Sequence, residues 1–421
     1  MNEYFRQEDV RVTRSPGIAV LCGLLLAVAA HTLSAQPYFV GTGTLNGGAR
    51  SSAVDISPEG LVVSGDTGLF GKKVTLWTLD GGLRSIMPRE VADTVGGISS
   101  RGRVVLGGFP GNGTTLAFRW TEETGAVHLG ELPGGDRSGA IDVSPRGDII
   151  VGNSDSEEGP QAVIWTADAG MVPLGDLPGG SFRSGANAIS ADGLVIVGHG
   201  RSSEGTEAVR WTAETGMVGL GALSDEYFQS SAKAVSADGS VVVGTSQSRG
   251  PRVFRWTEET GMVRLSGTFE QERWSRAYGT SWDGNVIVGQ VAIEQGPFGA
   301  FYWTPEGGMR WLTDVLAEHG IEDHQDWRHI SVAYAVSADG RTIVGYGTNP
   351  EGDGEGWVAY LGPGCRADFD DNGTVDAEDV AAYITAWLNR SIFTDWDYDG
   401  SINTRDLLGF LNEWVAKPGC E

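Results

Sequence analysis

The chain has 421 residues, a formal net charge of −25, 64 glycines and 14 tryptophans, and charged residues make up only 20% of it. That length fits several domains, or one large repeat domain with an appendage, and the glycine and aromatic content points to many short strands joined by tight turns. The acidic balance argues against nucleic acid and anionic membranes as partners, because a polyphosphate would be repelled; it suits an extracellular protein with some carboxylates neutralised by bound cations.

The N-terminus reads as an export signal spanning 1–35. Arg11 and Arg14 precede an apolar run from Ile18 to Ala30, and small residues lead to Ala35. This is the order of a basic region, an apolar core and a cleavage site. The core is short for a bilayer span, and no later segment is apolar enough to cross a membrane. The expected location is secreted, extracellular or on the cell surface. Removal of the signal leaves two cysteines, Cys365 and Cys420, which an oxidising compartment favours pairing.

Residues 36–362 repeat. Aligning copies of "AVSADGSVVVG" on their serine gives Ser57, Ser99, Ser144, Ser190, Ser236, Ser281 and Ser337, 42 to 46 residues apart except for a last interval of 56. An aromatic residue follows each serine by 20 to 23 positions: Trp77, Trp120, Trp165, Trp211, Trp256, Trp303 and Tyr360. A period in the forties with four apolar stretches per unit predicts a β-propeller blade. Asp-Gly and Thr-Gly fall where hairpins need positive φ. The last unit ends at "WVAYLG" without a fourth strand, whereas "FVGTGTLNGG" from Phe39 aligns with the fourth strand of other units. The fold class expected is therefore all-β, a seven-bladed propeller closed by the N-terminal strand. The stretches "AVIWTADAGMVPLGDLPGG" (162–180) and "AVRWTAETGMVGLG" (208–221) resemble the HAF-type extracellular repeats of bacterial secreted and surface proteins, and "LTDVLAEHGIEDHQDW" (312–327) is similar to the usual end of such arrays. The resemblance implies architecture and location and carries no assigned activity.

From 363 to 421 a small α-helical calcium-binding domain is expected. In "DFDDNGTVDAED", Asp368, Asp370, Asn372, Thr374, Asp376 and Asp379 stand at loop positions one, three, five, seven, nine and twelve, with Gly373 at the sharp turn. "DWDYDGSINTRD" repeats the set with Asp395, Asp397, Asp399, Ser401, Asn403 and Asp406 around Gly400. Hard oxygen donors at this spacing suit Ca²⁺, so two calcium ions are the expected cofactors. An amphipathic helix follows each loop, with Val380, Tyr383, Ile384, Trp387 and Leu388 on one face and Leu407, Phe410, Leu411, Trp414 and Val415 on the other helix. The duplicated loops resemble a type I dockerin, more narrowly a Cys-bracketed dockerin-like domain, which implies a cohesin-like or other cell-surface receptor. Positions ten and eleven hold Ala377–Glu378 and Thr404–Arg405 where dockerins often carry Ser-Thr, which favours the second kind of receptor. A Cys365–Cys420 disulfide would contribute about 4 kcal/mol to so small a domain by closing the loop between them; the rival is that Cys420 is a processing or attachment site.

Alternation of strand direction puts the short first and third turns of every blade on one end of the ring and the varied second turns and links on the other. That second end is the expected recognition face, carrying Phe182, Tyr227, Phe228, Trp274 and Trp327 among charged residues; such residues suit a carbohydrate or protein ligand. His319, His324 and His329 with Glu322 and Asp326 could suggest zinc, but their five-residue spacing fits no ligand pattern, and a solvated insertion is expected. No nucleophile elbow or phosphate loop is present. The favoured reading is a non-catalytic binding protein displayed through its calcium module. A secreted polysaccharide-degrading enzyme, or its accessory subunit, and a surface-layer component stand as alternatives.

Overall fold

The computed structural model describes residues 36–45, 50–61, 63–67, 73–87, 92, 94–111, 114–267, 269, 271–294, 296, 298–364, 366–370 and 374–416. The expected signal at 1–35, the cysteines Cys365 and Cys420, and Asn372 with Gly373 of the first acidic loop lie outside these residues.

Seven four-stranded antiparallel sheets make up the propeller. Blades 1 to 6 run Ser51–Ser85, Thr94–His128, Ser138–Gly175, Gly185–Gly219, Ser230–Arg264 and Glu272–Trp311, each adding its strands in chain order. Blade 7 takes three strands from His329–Tyr360 and its fourth from Tyr38–Gly41, which pairs in register from Tyr38 opposite Tyr360 to Gly41 opposite Trp357. The N-terminal strand thus supplies the outer strand of the last blade and closes the ring.

The repeated Ser-x-Asp-Gly is the hairpin between the first two strands, and its chemistry is local. In blade 5, Ser236 Oγ accepts from the Val241 amide at 2.9 Å and donates to Asp238 Oδ1 at 2.8 Å, while Asp238 Oδ1 also accepts from the Ser240 amide at 3.0 Å. Gly239, at φ 71°, supplies the left-handed step. In blade 3, Arg146 stands where the aspartate would be, and Ser144 donates instead to Asp148 at 2.7 Å. The turns also bond to one another around the ring. Amides of Asp192, Ala237, Trp282 and Ala338 donate to the carbonyls of Ala237, Trp282, Ala338 and Pro58 at 2.8–3.2 Å, and Ser100 donates to Pro145 at 3.1 Å.

Further out, blades are joined by packing and by buried serines. The hydroxyls of Ser138, Ser184, Ser230 and Ser275 accept, at 2.8–3.0 Å, the amides of Ala117, Ala162, Ala208 and Val253 in the preceding blade. The segment expected as a solvated insertion is instead a core element. The helix Leu312–Glu318 buries Leu312, Val315 and Leu316, and together with Ile321 they pack in one cluster with Phe39 and Trp357. His324 is buried, its Nδ1 bonded to the Ile321 carbonyl at 2.7 Å, while His319 bonds Val315 and His329 bonds Phe298 and Ser331. Each histidine has its own partner, and among the described residues they form no metal-ligating group.

Beyond the propeller, the helices Ala377–Leu388 and Thr404–Ala416 pack through Tyr383 and Phe410, whose rings stack at 4.0 Å. Two indole bonds repeat the internal symmetry: Trp387 Nε1 donates to Asn403 O at 3.0 Å and Trp414 Nε1 to Asp376 O at 2.8 Å, so each helix holds position nine of the other's loop. Among the described residues, no helix is long and apolar enough to cross a membrane.

Because Phe39 joins the closing strand to the core, Phe39→Ala should lower the unfolding free energy by about 3 kcal/mol. Urea unfolding followed by tryptophan fluorescence measures this; an unchanged midpoint would contradict a closing role for that strand.

Candidate functional site

The innermost strands do more than line the ring. In six blades the pairing skips one residue, stepping from Ala53 to Asp55, Ala140 to Asp142, Ala186 to Ala188, Ala232 to Ala234, Ala277 to Gly279 and Ala333 to Ala335. These are β-bulges, which leave one residue unpaired and re-aim its side chain. The skipped residues, Val54, Ile141, Asn187, Lys233, Tyr278 and Tyr334, all line a central channel of about 650 Å³. Tyr278 and Tyr334 meet edge to face at 5.6 Å. A varied position held between small residues was the signal available in the sequence for this wall.

At the end of the ring carrying the links, the channel wall adjoins a second cavity of about 420 Å³, which shares Lys233 and is also lined by Arg183, His199, Gln229, Ser231, Thr245 and Gln247. Asp176 orders this rim: its carboxylate accepts the amides of Leu177 and Arg201 at 2.8 and 2.9 Å, and that of Arg183. Burial lowers the Lys233 pKa, and no ion pair to it occurs among the described residues. His199 is lowered by burial and then by Lys233 and Arg183, so its neutral form is favoured. The pocket thus gathers two cations and a neutral imidazole with hydroxyl and amide groups, a set that accommodates a carboxylate flanked by hydroxyls.

Two half-buried carboxylates elsewhere on the channel wall belong to the frame. Asp55 accepts the Ile98 amide at 2.9 Å, and Asp142 accepts those of Val143 and Ile189 at 2.7 and 2.9 Å, tying each strand to the next blade. Burial, with Asp142 adding, pushes Asp55 up to about 7, and burial pushes Asp142 to about 6.

The aromatics expected on the recognition face divide. Phe182 and Tyr227 are exposed on links, whereas Phe228, Trp274 and Trp327 are half-buried. Arg276 lies over the Trp274 ring at 5.3 Å. Trp327 packs edge to face on Phe39 at 5.3 Å and joins the core cluster, so it anchors the insertion.

In the C-terminal segment, carboxylate oxygens of Asp368, Asp370 and Asp379 lie within 4.8 Å of one another, as do those of Asp395, Asp397 and Asp399. Either cluster could bind a metal, and an all-oxygen donor set fits a hard divalent cation. Buried Oδ1 of Asp397 has no hydrogen-bond partner. Burial pushes Asp395 up to about 7, with Asp406 and Asp399 adding to it. The remaining expected ligands play local parts. Asp376 caps the first helix through the Glu378 amide, and Asn403 accepts from the Arg405 amide, while its side-chain amide meets Ser401 O. Thr374 Oγ1 faces Asp376 at 3.4 Å. Asp379 and Asp406 each accept three backbone amides of their own loop, from Phe369, Asp370 and Asp376 and from Trp396, Asp397 and Asn403. A short aspartate at position twelve can staple the loop in this way, and Asp406 stands outside the second cluster.

No protein-family model matches the chain, and no curated protein matches it. Similarity is found among solved structures. A TolB from Acinetobacter baumannii is 17% identical, with a TM-score of 0.40 over 51% of this chain and 53% of that one, so the chain spans about half its length. An oligogalacturonate lyase in complex with manganese is 10% identical over 78% of this chain and 97% of that one, at a TM-score of 0.49. An oligogalacturonate lyase from Vibrio parahaemolyticus is 9% identical over 77% and 97%, at 0.52. For the Vibrio protein, at 9% identity and a TM-score of 0.52, the likeness is one of fold alone, a β-propeller.

Both Asp55 and Asp142 hold protons more firmly in the folded chain than at their ordinary value of 3.8. Their neutral forms therefore contribute stability that is fully present below about pH 4 and is lost as the pH rises through about 6 to 7. Melting curves from pH 4.5 to 7.5 at fixed salt should show the wild type declining relative to Asp55→Asn/Asp142→Asn. Parallel profiles would contradict the assignment.

Proposed function

We propose that this is a secreted or surface-displayed, non-catalytic binding protein. Its HAF-type propeller takes an acidic carbohydrate at the link end of the channel, and its dockerin-like C-terminal module binds two calcium ions. The observation that carries the reading is the convergence of Arg183, Lys233 and His199 in one pocket of a chain whose net charge is −25. An isolated cationic pocket on an acidic protein repels generic polyanions at long range yet pairs with a single carboxylate at short range. Exposed Phe182 and Tyr227 nearby on the links offer stacking surfaces for sugar rings. The two acidic clusters, which share loop positions one and three, support the calcium assignment. The export signal at 1–35 supports the location.

A polysaccharide-degrading enzyme is the second reading, and one observation favours it: a neutral His199 beside Lys233 could accept a proton. The frame carboxylates do not serve that reading, because both are bonded to backbone amides.

Calorimetry with uronate oligosaccharides, their neutral counterparts and acidic peptides separates the outcomes. The uronates should bind best, and Lys233→Ala/Arg183→Ala should weaken them at least about tenfold, as loss of two charge-assisted contacts implies. Equal binding of neutral sugars, or preference for the peptide, would contradict the ligand class. Chain cleavage abolished by His199→Ala would establish the enzyme instead.

A further inference from the structure

Two of the seven first turns carry arginine where four carry aspartate: Ser100-Arg101-Gly102 and Pro145-Arg146-Gly147. A third turn, Trp282-Asp283-Gly284, carries an indole where three others have alanine. All three departures touch the same object, the second acidic loop of the C-terminal segment. Arg101 Nη2 pairs with Asp397 Oδ2 at 2.9 Å, Arg146 Nε donates to Gly400 O at 2.5 Å, and Trp282 meets the Tyr398 ring edge to face at 4.8 Å. Glu59, from the neighbouring turn, accepts the Arg101 amide at 2.5 Å and the Ser100 hydroxyl at 3.0 Å. It thereby supports Arg101 in its left-handed conformation of φ 56°.

The loop is adapted in return. Gly400 sits at φ 81°, and a Cβ there would stand 2.7 Å from Arg146 Cγ, so glycine serves both the turn and the close approach. Tyr398 and Arg405 stand where the first loop has Asp371 and Glu378. From behind, Arg366 lies over Trp396 at 3.9 Å and Tyr398 at 4.6 Å and donates to Trp396 O at 3.0 Å. Trp387 and Trp414 repeat one bond across the module, whereas Tyr398 of the second loop meets the propeller and Arg405 pairs within the loop, with Asp397 at 3.7 Å and Asp399 at 3.9 Å. Propeller and module together form one compact unit.

We propose that the first-turn face of this propeller is the receptor for the chain's own second acidic loop, and that this docking and cation binding in that loop reinforce each other. The cation half rests on the calcium reading above. Asp397 is the shared group. Its Oδ2 is held by Arg101 while its buried Oδ1 has no hydrogen-bond partner and stands beside Asp395 and Asp399. Arg101 and Arg146 repel a cation by charge, but they also hold a ligand carboxylate and the peptide before Ser401 in place, so the cation need not order them. Arg101 is half-exposed, so dissolved salt weakens its repulsion, whereas the ordering acts through direct contact. Linkage then requires a bound cation to tighten docking by the same factor.

Calcium calorimetry on the full chain tests this, with Asp368→Asn/Asp370→Asn in place so that only the second loop reports. Adding Arg101→Gln/Arg146→Gln should weaken calcium binding at least about fivefold, the lower bound of ordinary coupling between sites. Arg276→Gln, on the opposite end of the ring, should leave it unchanged. Small-angle scattering of the Arg101→Gln/Arg146→Gln chain should show a larger radius in chelator than in calcium, where the wild type changes less. Unchanged affinity in the double arginine variant would overturn the coupling. Absence of calcium binding to the otherwise wild-type second loop would overturn the calcium reading and the coupling with it. A radius unaffected by losing both arginines would overturn the receptor face.

Discussion

The amide of Ala338 donates to the carbonyl of Pro58 at 2.8 Å, and there the seventh blade meets the first. That bond belongs to a belt of main-chain contacts between neighbouring first turns, and the N-terminal strand repeats the closure at the rim by pairing with the last blade. A ring built from repeats has no natural end, so its stability depends on making the joint between first and last copies equivalent to the others. Here the joint is made twice, at the hub and at the rim. The monotony of the turns follows from the belt: each needs its serine, its glycine and a backbone in the right place.

Once the belt is fixed, other positions are free to vary, and function collects there. Residues skipped by the bulges project into the channel, which is how Lys233, Tyr278 and Tyr334 come to face one space from three blades. Links at one end bring Arg183 to the same rim. At the other end the aspartate is dispensable wherever another group can take the serine hydroxyl, as Asp148 does in blade 3. Arg146 is thereby released to reach the C-terminal loop. A propeller offers two ends, and this one assigns them differently, one to its own module and the other to solvent.

Blade number, the closing strand and the hairpin role of Ser-x-Asp-Gly were legible because they rest on local periodicity and turn chemistry, which a single sequence carries. The segment around His319 and His324 misled because its charge and irregular spacing suggested solvent, while Leu312, Val315, Leu316 and Ile321 supply an apolar face that the core takes up. Trp327 likewise looked like a recognition residue and is a packing one, since only the fold brings Phe39 against it. The arginine turns stand in the sequence as exceptions to the motif. Their own partner was hidden, because Arg101 and Asp397 are brought together only by the way the last segment folds back.

Hydrogen exchange on the full chain, in calcium and in chelator, tests the division of the two ends most directly. Amides of the turns at 99–103 and 144–148 should lose protection when calcium is removed, while the rim at 176–183 and 227–233 should be unaffected by calcium and gain protection only with an acidic oligosaccharide. Protection of the turns that is indifferent to calcium, or protection of both ends by the same ligand, would contradict the account.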